Sequence, residues 1–292
     1  MTERNLVAYV TGGEGIDAIV LRDESIPSPG PGEALVRLRA ATLNFRDLIV
    51  ARGLIPGLTG DDAVVPMSCG CGEVVELGDG VSDLRPGERV SPLFALGWLD
   101  GDMPTMDMLG ARADGVARKY AVFPAHSLVP IPDMLSDMEA ATLPCAGLTA
   151  WSALTQHRSV APGEWVLCHG TGGVSIAALQ FAKAMGAKVA ITSSSDAKLT
   201  RARALGADMT VNYRNSPDWV AELRGAIGGN NVAVVVDVVG KNQLESNRAL
   251  LKDGGMIAAI GMLGSDFSWD MEREIADIGR ISVGNRKQHE AM

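Results

Sequence analysis

A glycine-rich turn between a strand pattern and a helix pattern is the feature that most constrains the fold of this chain. Residues 165–175 read WVLCHGTGGVS, so a short apolar run leads into a Gly-x-Gly-Gly turn at 170–173. Apolar residues then recur through 174–185 at the spacing of one helix face. Because glycine has no Cβ, the N–H groups that open such a helix can approach an anion closely. The pattern predicts a strand, an anion-binding turn and a helix packed on a sheet.

Short β-branched runs continue at intervals after this turn, and most are followed by a helical pattern. The predicted strands are 165–169, 188–192, 209–212, 232–236, 256–260 and 281–283. Strands buried on both faces read as continuous apolar runs, and their alternation with helices requires right-handed crossovers in a parallel sheet. The second part of the chain is therefore predicted to be a doubly wound α/β nucleotide-binding fold.

The first part of the chain has a different rhythm, with short segments that alternate in polarity between Gly and Pro residues. Residues 34–40 place Val36 and Leu38 on one face of a strand and Arg37 and Arg39 on the other. Further strand patterns at 73–77 and 89–91, turns at 79–80 and 86–87 and a short helix at 45–51 complete the pattern. Ser136 and Glu139 form a capping box that predicts another helix start. The first part is predicted to be a small, mostly antiparallel β domain.

Composition excludes several classes of protein. The net charge is −9, from 26 Lys and Arg against 35 Asp and Glu, which argues against a nucleic-acid partner. The polar start and the lack of an apolar stretch of about 20 residues argue against a membrane or exported protein. Four cysteines without a CxxC pair suit a reducing cytoplasm, and three of them are interpreted as small buried residues. We expect a cytoplasmic protein with a small-molecule substrate.

The strand, the turn and the second strand at 188–192 together predict a dinucleotide site; the alternative is a tight turn that holds no ligand. A free ribose is usually held by an Asp or Glu at the end of that second strand. This chain has Thr192 and Ser193–Ser195 there instead, with Lys198 in the next helix pattern. Small hydroxyls and an ammonium group suit a 2′-phosphate, so NADP(H) is favoured over NAD(H). The serines could equally cap the following helix, and the two roles are compatible.

Several stretches carry a resemblance to a known family. They are LNFRDL at 43–48, GEVVELG at 72–78, PGERV at 86–90, AATLPC at 140–145, GTGGV at 170–174 and ISVGNR at 281–286. With these motifs the chain resembles the medium-chain dehydrogenase/reductase superfamily, in its zinc-lacking quinone oxidoreductase and enoyl reductase branch, from the first strand to the last residue. The resemblance implies a GroES-like domain at 1–128 and a Rossmann domain at 129–286.

The resemblance also implies which residues contact the cofactor. Gly170, Thr171, Gly172, Gly173 and Val174 would hold the pyrophosphate. Ser193, Lys198, Tyr213 and Arg214 would contact the adenine ribose and its 2′-phosphate, and Thr149 the ribose phosphate on the nicotinamide side. Gly261, Gly284, Asn285 and Arg286 would line the nicotinamide end. Similar proteins often form dimers through the sheet edge of this domain.

Zinc-dependent relatives bind their catalytic metal through Cys, His and Cys, and the matching positions here are Asn44, Ser68 and Cys145. Asn and Ser are poor zinc ligands, so the resemblance implies no metal; the alternative is a site improvised from Cys69 and Cys71 near Ser68. This match places Asn44 next to the nicotinamide. Its amide would then donate a hydrogen bond to the substrate oxygen as negative charge develops there. Asp47 would orient Asn44 or relay a proton. The alternative is that Asn44 and Asp47 only cap a helix. The four histidines lie outside these motifs and are poor catalytic candidates.

The expected function is reduction by NADPH of a quinone, an α,β-unsaturated carbonyl or a simple aldehyde or ketone. The alternatives are a zinc-dependent alcohol dehydrogenase and a non-catalytic NADP-binding protein. Similar proteins continue for several tens of residues beyond Met292, and that tail completes their first domain. Residues 287–292 resemble the start of this tail. A truncated form, a naturally shortened protein and a chain completed by a partner are all open, and we favour the first.

Overall fold

The computed structural model describes residues 3–55, 58, 62–101 and 107–261. The chain divides into two compact units, Met1–Cys145 and Ala146–Met292. The rhythm of the sequence changes near residue 130 and the resemblance implies a boundary at 128, whereas the units divide further along, because the helix Asp137–Ala141 packs on the sheet of the first unit.

The first unit is built on antiparallel strands. Its strands are β1 (Asn5–Tyr9), β2 (Val20–Glu24), β3 (Glu33–Thr42), β4 (Cys69–Leu77), β5 (Arg89–Pro92), β6 (Tyr120–Pro124) and β7 (Leu128–Pro130). β1 and β2 form a hairpin-like pair, and the other five form one antiparallel sheet in the order β6-β3-β4-β5-β7. The helices are α1 (Phe45–Arg52) and α2 (Asp137–Ala141), with single 3-10 turns at Ile16–Ala18 and Ala125–Ser127. The predicted antiparallel β domain is confirmed.

Two large apolar clusters lie in this unit, beside a small one around α2. One lies on the sheet, where Val36 of β3 and Val74 of β4 pack with Phe123 of β6. The other lies beneath α1 and joins Val50 to Val10 and Val64. The alternation predicted for β3 is present, since Val36 is buried while Arg37 and Arg39 on the opposite face bond to Glu73.

The second unit alternates strands and helices. Its strands are β8 (Trp165–Cys168), β9 (Lys188–Ser193), β10 (Met209–Asn212), β11 (Val232–Asp237) and β12 (Leu251–Ala259). Its helices are α3 (Leu148–Thr155), α4 (Gly173–Ala184), α5 (Asp196–Ala204), α6 (Trp219–Ile227) and α7 (Leu244–Leu250), with a π-helical turn at Leu143–Gly147 and a 3-10 turn at Lys241–Gln243. All strand pairs are parallel, in the order β10-β9-β8-β11-β12.

Both faces of this parallel sheet are covered by helices. Val166 and Cys168 of β8 pack into a cluster with α3, α4 and α5, whereas Leu167 between them packs into a cluster with α6 and α7. Successive strand residues point to opposite faces, so each strand needs apolar residues throughout. The doubly wound prediction is confirmed for five strands; the predicted strand at 281–283 lies outside the described residues. Across the described ranges, no helix has the length and apolarity that crossing a bilayer requires.

Candidate functional site

The glycine turn links β8 to α4 at the carboxyl edge of the parallel sheet. Gly172 is the N-cap of α4, and its side-chain position faces open space, with nothing within 4 Å of an added Cβ. A helix N-terminus presents unpaired N–H donors and the positive end of the helix dipole. The turn therefore combines open space at Gly172 with the polarity that favours an anion.

The other two glycines of the turn meet different requirements. Gly170 has a φ of 71°, in the left-handed region that side chains other than Asn and Asp rarely adopt. Gly173 packs closely, because a Cβ there would lie 3.3 Å from that of Ala146. One glycine thus serves the chain reversal, one borders open space at the start of α4 and one allows close helix packing.

The end of β9 brings together the residues predicted to contact the adenine side. Ser193 is buried, and its carbonyl accepts a hydrogen bond from the Tyr213 N–H at 3.2 Å. Lys198 and Arg214 are exposed nearby, on α5 and just after β10. The carboxylate of Asp196 accepts hydrogen bonds from Asn212 (2.8 Å) and Asn215 (3.3 Å). The acid next to this strand end is therefore already engaged by two amides.

A buried polar chain that the sequence did not reveal connects three strand ends. His169 is 2% exposed, and its ring nitrogens contact Thr192 (Nδ1–Oγ1, 3.2 Å) and Asn247 (Nε2–Oδ1, 2.6 Å). Asn247 in turn donates to Asp237 at 2.8 Å. Burial lowers the pKa of His169, so the ring is neutral. The only signal in the sequence was a polar residue at the end of each of three apolar runs.

This chain fixes the backbone of the glycine turn. The carbonyl of His169 accepts from Ser175 Oγ at 2.6 Å, which ties the strand end to the first turn of α4. The Gly170 N–H donates to Thr192 Oγ1 at 3.4 Å. His169 is therefore a positioning residue for the turn.

Thr149 and Gly261 occupy different surroundings. Thr149 is half-buried on α3, which packs on α4 through the edge-to-face pair Trp151–Phe181, with ring centroids 5.7 Å apart. Gly261 follows β12 and lies against the backbone of Val238, where a Cβ would come within 2.5 Å of the carbonyl oxygen. The remaining predicted cofactor residues, Gly284, Asn285 and Arg286, lie outside the described residues.

In the first unit, Asn44 and Asp47 form the start of α1. The Asp47 carboxylate accepts the Asn44 backbone N–H at 2.7 Å, as in a capping box. Burial raises the pKa of Asp47, and its second oxygen, Oδ1, has no hydrogen-bond partner within the described structure. Asp47 thus holds the backbone of Asn44, while the Asn44 side chain points elsewhere.

The Asn44 amide points to a sulfur atom. Its Nδ2 lies 3.2 Å from Cys69 Sγ and 3.3 Å from the Thr42 carbonyl oxygen. Ser68 Oγ lies 3.3 Å from the same sulfur, and the Cys145 side chain lowers the pKa of Cys69 to about 7. We call Asn44, Ser68, Cys69 and Cys145 the Cys69 cluster. Asn44, Ser68 and Cys145 are the positions matched to the zinc ligands of relatives, and Cys69, adjacent to Ser68, contacts both Asn44 and Ser68 through its sulfur.

Strained backbone precedes this cluster. Met67 has a φ of 71°, which makes it the one non-glycine residue with positive φ in the part of the chain that the structure describes. It is held by close packing against Gly110 and Gly115, where any Cβ would lie within 3 Å of its backbone. Such conformations cost about 1–3 kcal/mol and often mark functional sites. This one fixes the direction of Ser68 and Cys69.

Arg46 adds a positive charge beside the cluster. Its guanidinium lies 4.7 Å from the centre of the Phe94 ring, and Nη1 donates to the Leu109 carbonyl at 2.8 Å. Nη2 is buried and has no hydrogen-bond partner in the described ranges. Burial lowers the pKa of Arg46, and the nearby Cys145, Asp47 and Cys69 partly offset this by raising it.

The donor set of this cluster does not fit a zinc ion. It offers two thiols, one amide and one hydroxyl, whereas catalytic zinc uses three protein ligands drawn from Cys, His and acidic residues. Within the described residues, no group of three or more His, Cys, Asp or Glu side chains is arranged to hold a metal.

Both units match models of known protein families. The family model "Alcohol dehydrogenase GroES-like domain" matches residues 30–133, and the model "Zinc-binding dehydrogenase" matches residues 173–285. A zinc-type alcohol dehydrogenase-like protein of Schizosaccharomyces pombe is 44% identical over 266 residues, which cover 88% of this chain and 77% of that protein.

Solved structures agree with these matches. A structure named NAD-dependent alcohol dehydrogenase has a TM-score of 0.81 and 34% identity, covering 95% of this chain and 83% of that one. A quinone oxidoreductase of Pseudomonas syringae has a TM-score of 0.79 and 28% identity, covering 98% and 85%. With its GroES-like and Rossmann units and these relatives, the chain belongs to the medium-chain dehydrogenase/reductase superfamily of oxidoreductases.

Proposed function

We propose that the chain is an NADPH-dependent reductase that transfers hydride to a quinone, an α,β-unsaturated carbonyl or a simple aldehyde or ketone without zinc. The observation that carries this proposal is the open space at Gly172 above the N-terminus of α4. Such a cradle accepts the pyrophosphate of a dinucleotide because donors and dipole both favour an anion. When bound, the cofactor supplies the hydride.

The preference for NADPH rests on the residues of this chain, since one solved relative is named NAD-dependent. Ser193 ends β9 without a carboxylate that would repel a 2′-phosphate, and Asp196 is held by Asn212 and Asn215. Lys198 and Arg214 are exposed cations in the same region. A phosphate gains charge-assisted hydrogen bonds from such groups.

The substrate side of the proposal rests on the first unit. Asn44 is the proposed donor to the substrate oxygen, exchanging its 3.2 Å contact with Cys69 for that oxygen as charge develops there. Asp47 is a positioning residue, because its carboxylate holds the Asn44 backbone. Leu43 and Phe45, on either side of Asn44, are 78% and 48% exposed. They provide apolar surface for a hydrophobic carbonyl compound.

The decisive experiment is a Gly172→Val substitution followed by titration with NADPH and NADH. Gly172 has φ −79° and ψ 179°, an extended conformation that valine accepts, and the added side chain meets no protein atom within 4 Å at Cβ. We expect a folded protein that loses about 1 kcal/mol at the cap and binds NADPH at least 100-fold more weakly than the wild type.

Gly225→Ala is the matched control. Gly225 lies on the exposed face of α6 with nothing near its side-chain position, so alanine should stabilise the helix and leave NADPH binding unchanged. Equal NADPH affinity in the wild type and Gly172→Val would overturn the proposal. Binding of NADPH without turnover of enones, quinones or aldehydes would instead identify a non-catalytic binding protein. Zinc that copurifies stoichiometrically would favour the alcohol dehydrogenase alternative.

A further inference from the structure

We propose, on the basis of the proposed function, that Asp237 is a positioning residue for the nicotinamide half of the dinucleotide. Asp237 ends β11 at the carboxyl edge of the parallel sheet and is 1% exposed. Because its side chain is buried, Asp237 acts through the backbone and side-chain groups that it holds at this edge.

The order of the strands indicates which half of a dinucleotide lies over Asp237. The sheet runs β10-β9-β8-β11-β12, so the strand order reverses between β8 and β11. In open α/β sheets, a dinucleotide binds across the carboxyl ends of the strands at such a switch point. In the proposed function, the pyrophosphate lies at the turn after β8 and the 2′-phosphate at the end of β9. The nicotinamide half would therefore extend over the ends of β11 and β12.

Asp237 holds the turn that follows β11. Its Oδ1 accepts the backbone N–H groups of Val239 at 2.8 Å and Gly240 at 2.9 Å. Gly240 has a φ of 89°, so the chain reverses sharply within reach of the carboxyl group. Val238 and Val239 are half-buried, so part of this turn is open to a ligand at the carboxyl edge.

Asp237 also holds the end of the neighbouring strand, β12. Its carbonyl oxygen accepts the N–H groups of Ile260 at 2.8 Å and Gly261 at 3.2 Å. Gly261 fits against the turn after β11 because it has no side chain, since a Cβ there would lie 2.5 Å from the Val238 carbonyl oxygen. One buried residue thus sets the positions of both backbone segments over which the nicotinamide half would lie.

The second carboxyl oxygen of Asp237 connects these segments to the glycine turn. Asp237 Oδ2 accepts a hydrogen bond from Asn247 Nδ2 at 2.8 Å, which leaves Asn247 Oδ1 to accept from His169 Nε2 at 2.6 Å. Because a neutral imidazole has one N–H donor and one acceptor, His169 Nδ1 accepts from the Thr192 hydroxyl at 3.2 Å. Thr192 Oγ1 in turn accepts the Gly170 N–H at 3.4 Å. The chain therefore fixes the nicotinamide side relative to the pyrophosphate side.

The test measures NADPH affinity and the emission of the bound dihydronicotinamide separately in the full chain. Quenching of protein fluorescence gives the affinity, whereas the enhancement of NADPH emission at saturation reports how firmly the ring is held. We expect Asp237→Ala to bind NADPH within about threefold of the wild-type affinity, because the pyrophosphate and 2′-phosphate contacts remain. The emission enhancement should fall by about half or more. For an enone, quinone or aldehyde that the wild type reduces, kcat should fall about 100-fold at an unchanged KM, because hydride transfer requires an aligned ring.

Asp237→Asn is the conservative variant. Its amide oxygen still accepts the two backbone N–H groups of the turn, and a flip of the Asn247 amide with the other tautomer of His169 restores the chain. It should keep the emission enhancement, and kcat should stay within about threefold of the wild type. Asp208→Ala is the matched control, because it removes a carboxylate that accepts the Val189 N–H at 2.8 Å at the opposite edge of the sheet. It should lower stability and leave both readouts unchanged.

Gly261→Ala tests the same geometry without removing a buried carboxyl group, and it replaces Asp237→Ala if that variant does not fold. Its Cβ displaces the Val238 carbonyl, so emission and kcat should fall while NADPH stays bound. Wild-type emission and kcat in either variant would overturn the role of Asp237 and leave the proposed function intact. Equal losses in Asp208→Ala would also overturn it, because any weakened sheet would then loosen the ring. A wild type that binds no NADPH would overturn both proposals.

Discussion

Ser193 is the residue on which the choice of cofactor depends. We predict that Ser193→Asp reverses the preference from NADPH to NADH, because a carboxylate at this strand end repels a 2′-phosphate and bonds a free ribose. NADPH affinity should fall at least tenfold, and NADH affinity should rise, in fluorescence titrations of the two cofactors. Unchanged NADPH affinity would mean that the 2′-phosphate is not bound at the end of β9.

Lys198 tests the same site from the cationic side. Lys198→Ala should weaken NADPH binding about fivefold to tenfold through the lost charge-assisted contact, and it should leave NADH binding as it is. Arg203→Ala is the matched control, since it removes the same charge from an exposed position on the same helix, α5. An equal loss of NADPH affinity in both variants would show that the summed positive charge of α5, rather than a contact with Lys198, strengthens binding.

At the scale of single elements, the strand ends are held together by a histidine that is neutral in the folded state. Because burial depresses the pKa of His169, the unfolded chain binds a proton below about pH 6.5 that the folded chain does not bind. Stability must therefore fall as the pH drops through this range, by up to about 1.4 kcal/mol per pH unit from this group.

His169→Gln should remove that part of the slope. We expect urea denaturation at pH 7.5 and pH 5.5 to give a smaller stability difference for the variant than for the wild type. The variant should also be less stable than the wild type at pH 7.5, because the substitution disturbs the hydrogen bonds to Thr192 and Asn247. His157→Gln, at an exposed position, should keep the wild-type slope. The same slope in His169→Gln would assign the pH dependence to other groups.

The helices and strands were largely predictable, because each follows from a local sequence pattern. The helix α4 follows from the apolar spacing after Gly173, and α2 follows from the capping box of Ser136 and Glu139, which the structure contains. Residues whose role depends on distant neighbours were not predictable. Cys69 reads as a small buried residue until β4 brings its sulfur next to the Asn44 amide at the start of α1. His169 likewise acquires a role only from Asn247, far along the chain.

For the whole molecule, the two-unit organisation followed from the change in rhythm from alternating polarity to strand, turn and helix. The exact division did not, because α2 lies after the change yet packs on the first sheet. The strained Met67 was also beyond sequence reasoning, since its conformation is imposed by Gly110 and Gly115 from a separate part of the chain.

Two units with separate cores allow cofactor binding to be localised by hydrogen exchange. Ligand binding stabilises the folded state by RT ln(1 + [L]/Kd), about 2.7 kcal/mol at a hundredfold excess over Kd. We predict that NADPH slows amide exchange in peptides spanning β8, the glycine turn and β9, where the cradle and the His169 chain lie. Gly172→Val should abolish this protection at the same NADPH concentration, and Gly225→Ala should retain it. Protection that survives in Gly172→Val, or that is absent from the turn in the wild type, would place the cofactor away from the N-terminus of α4.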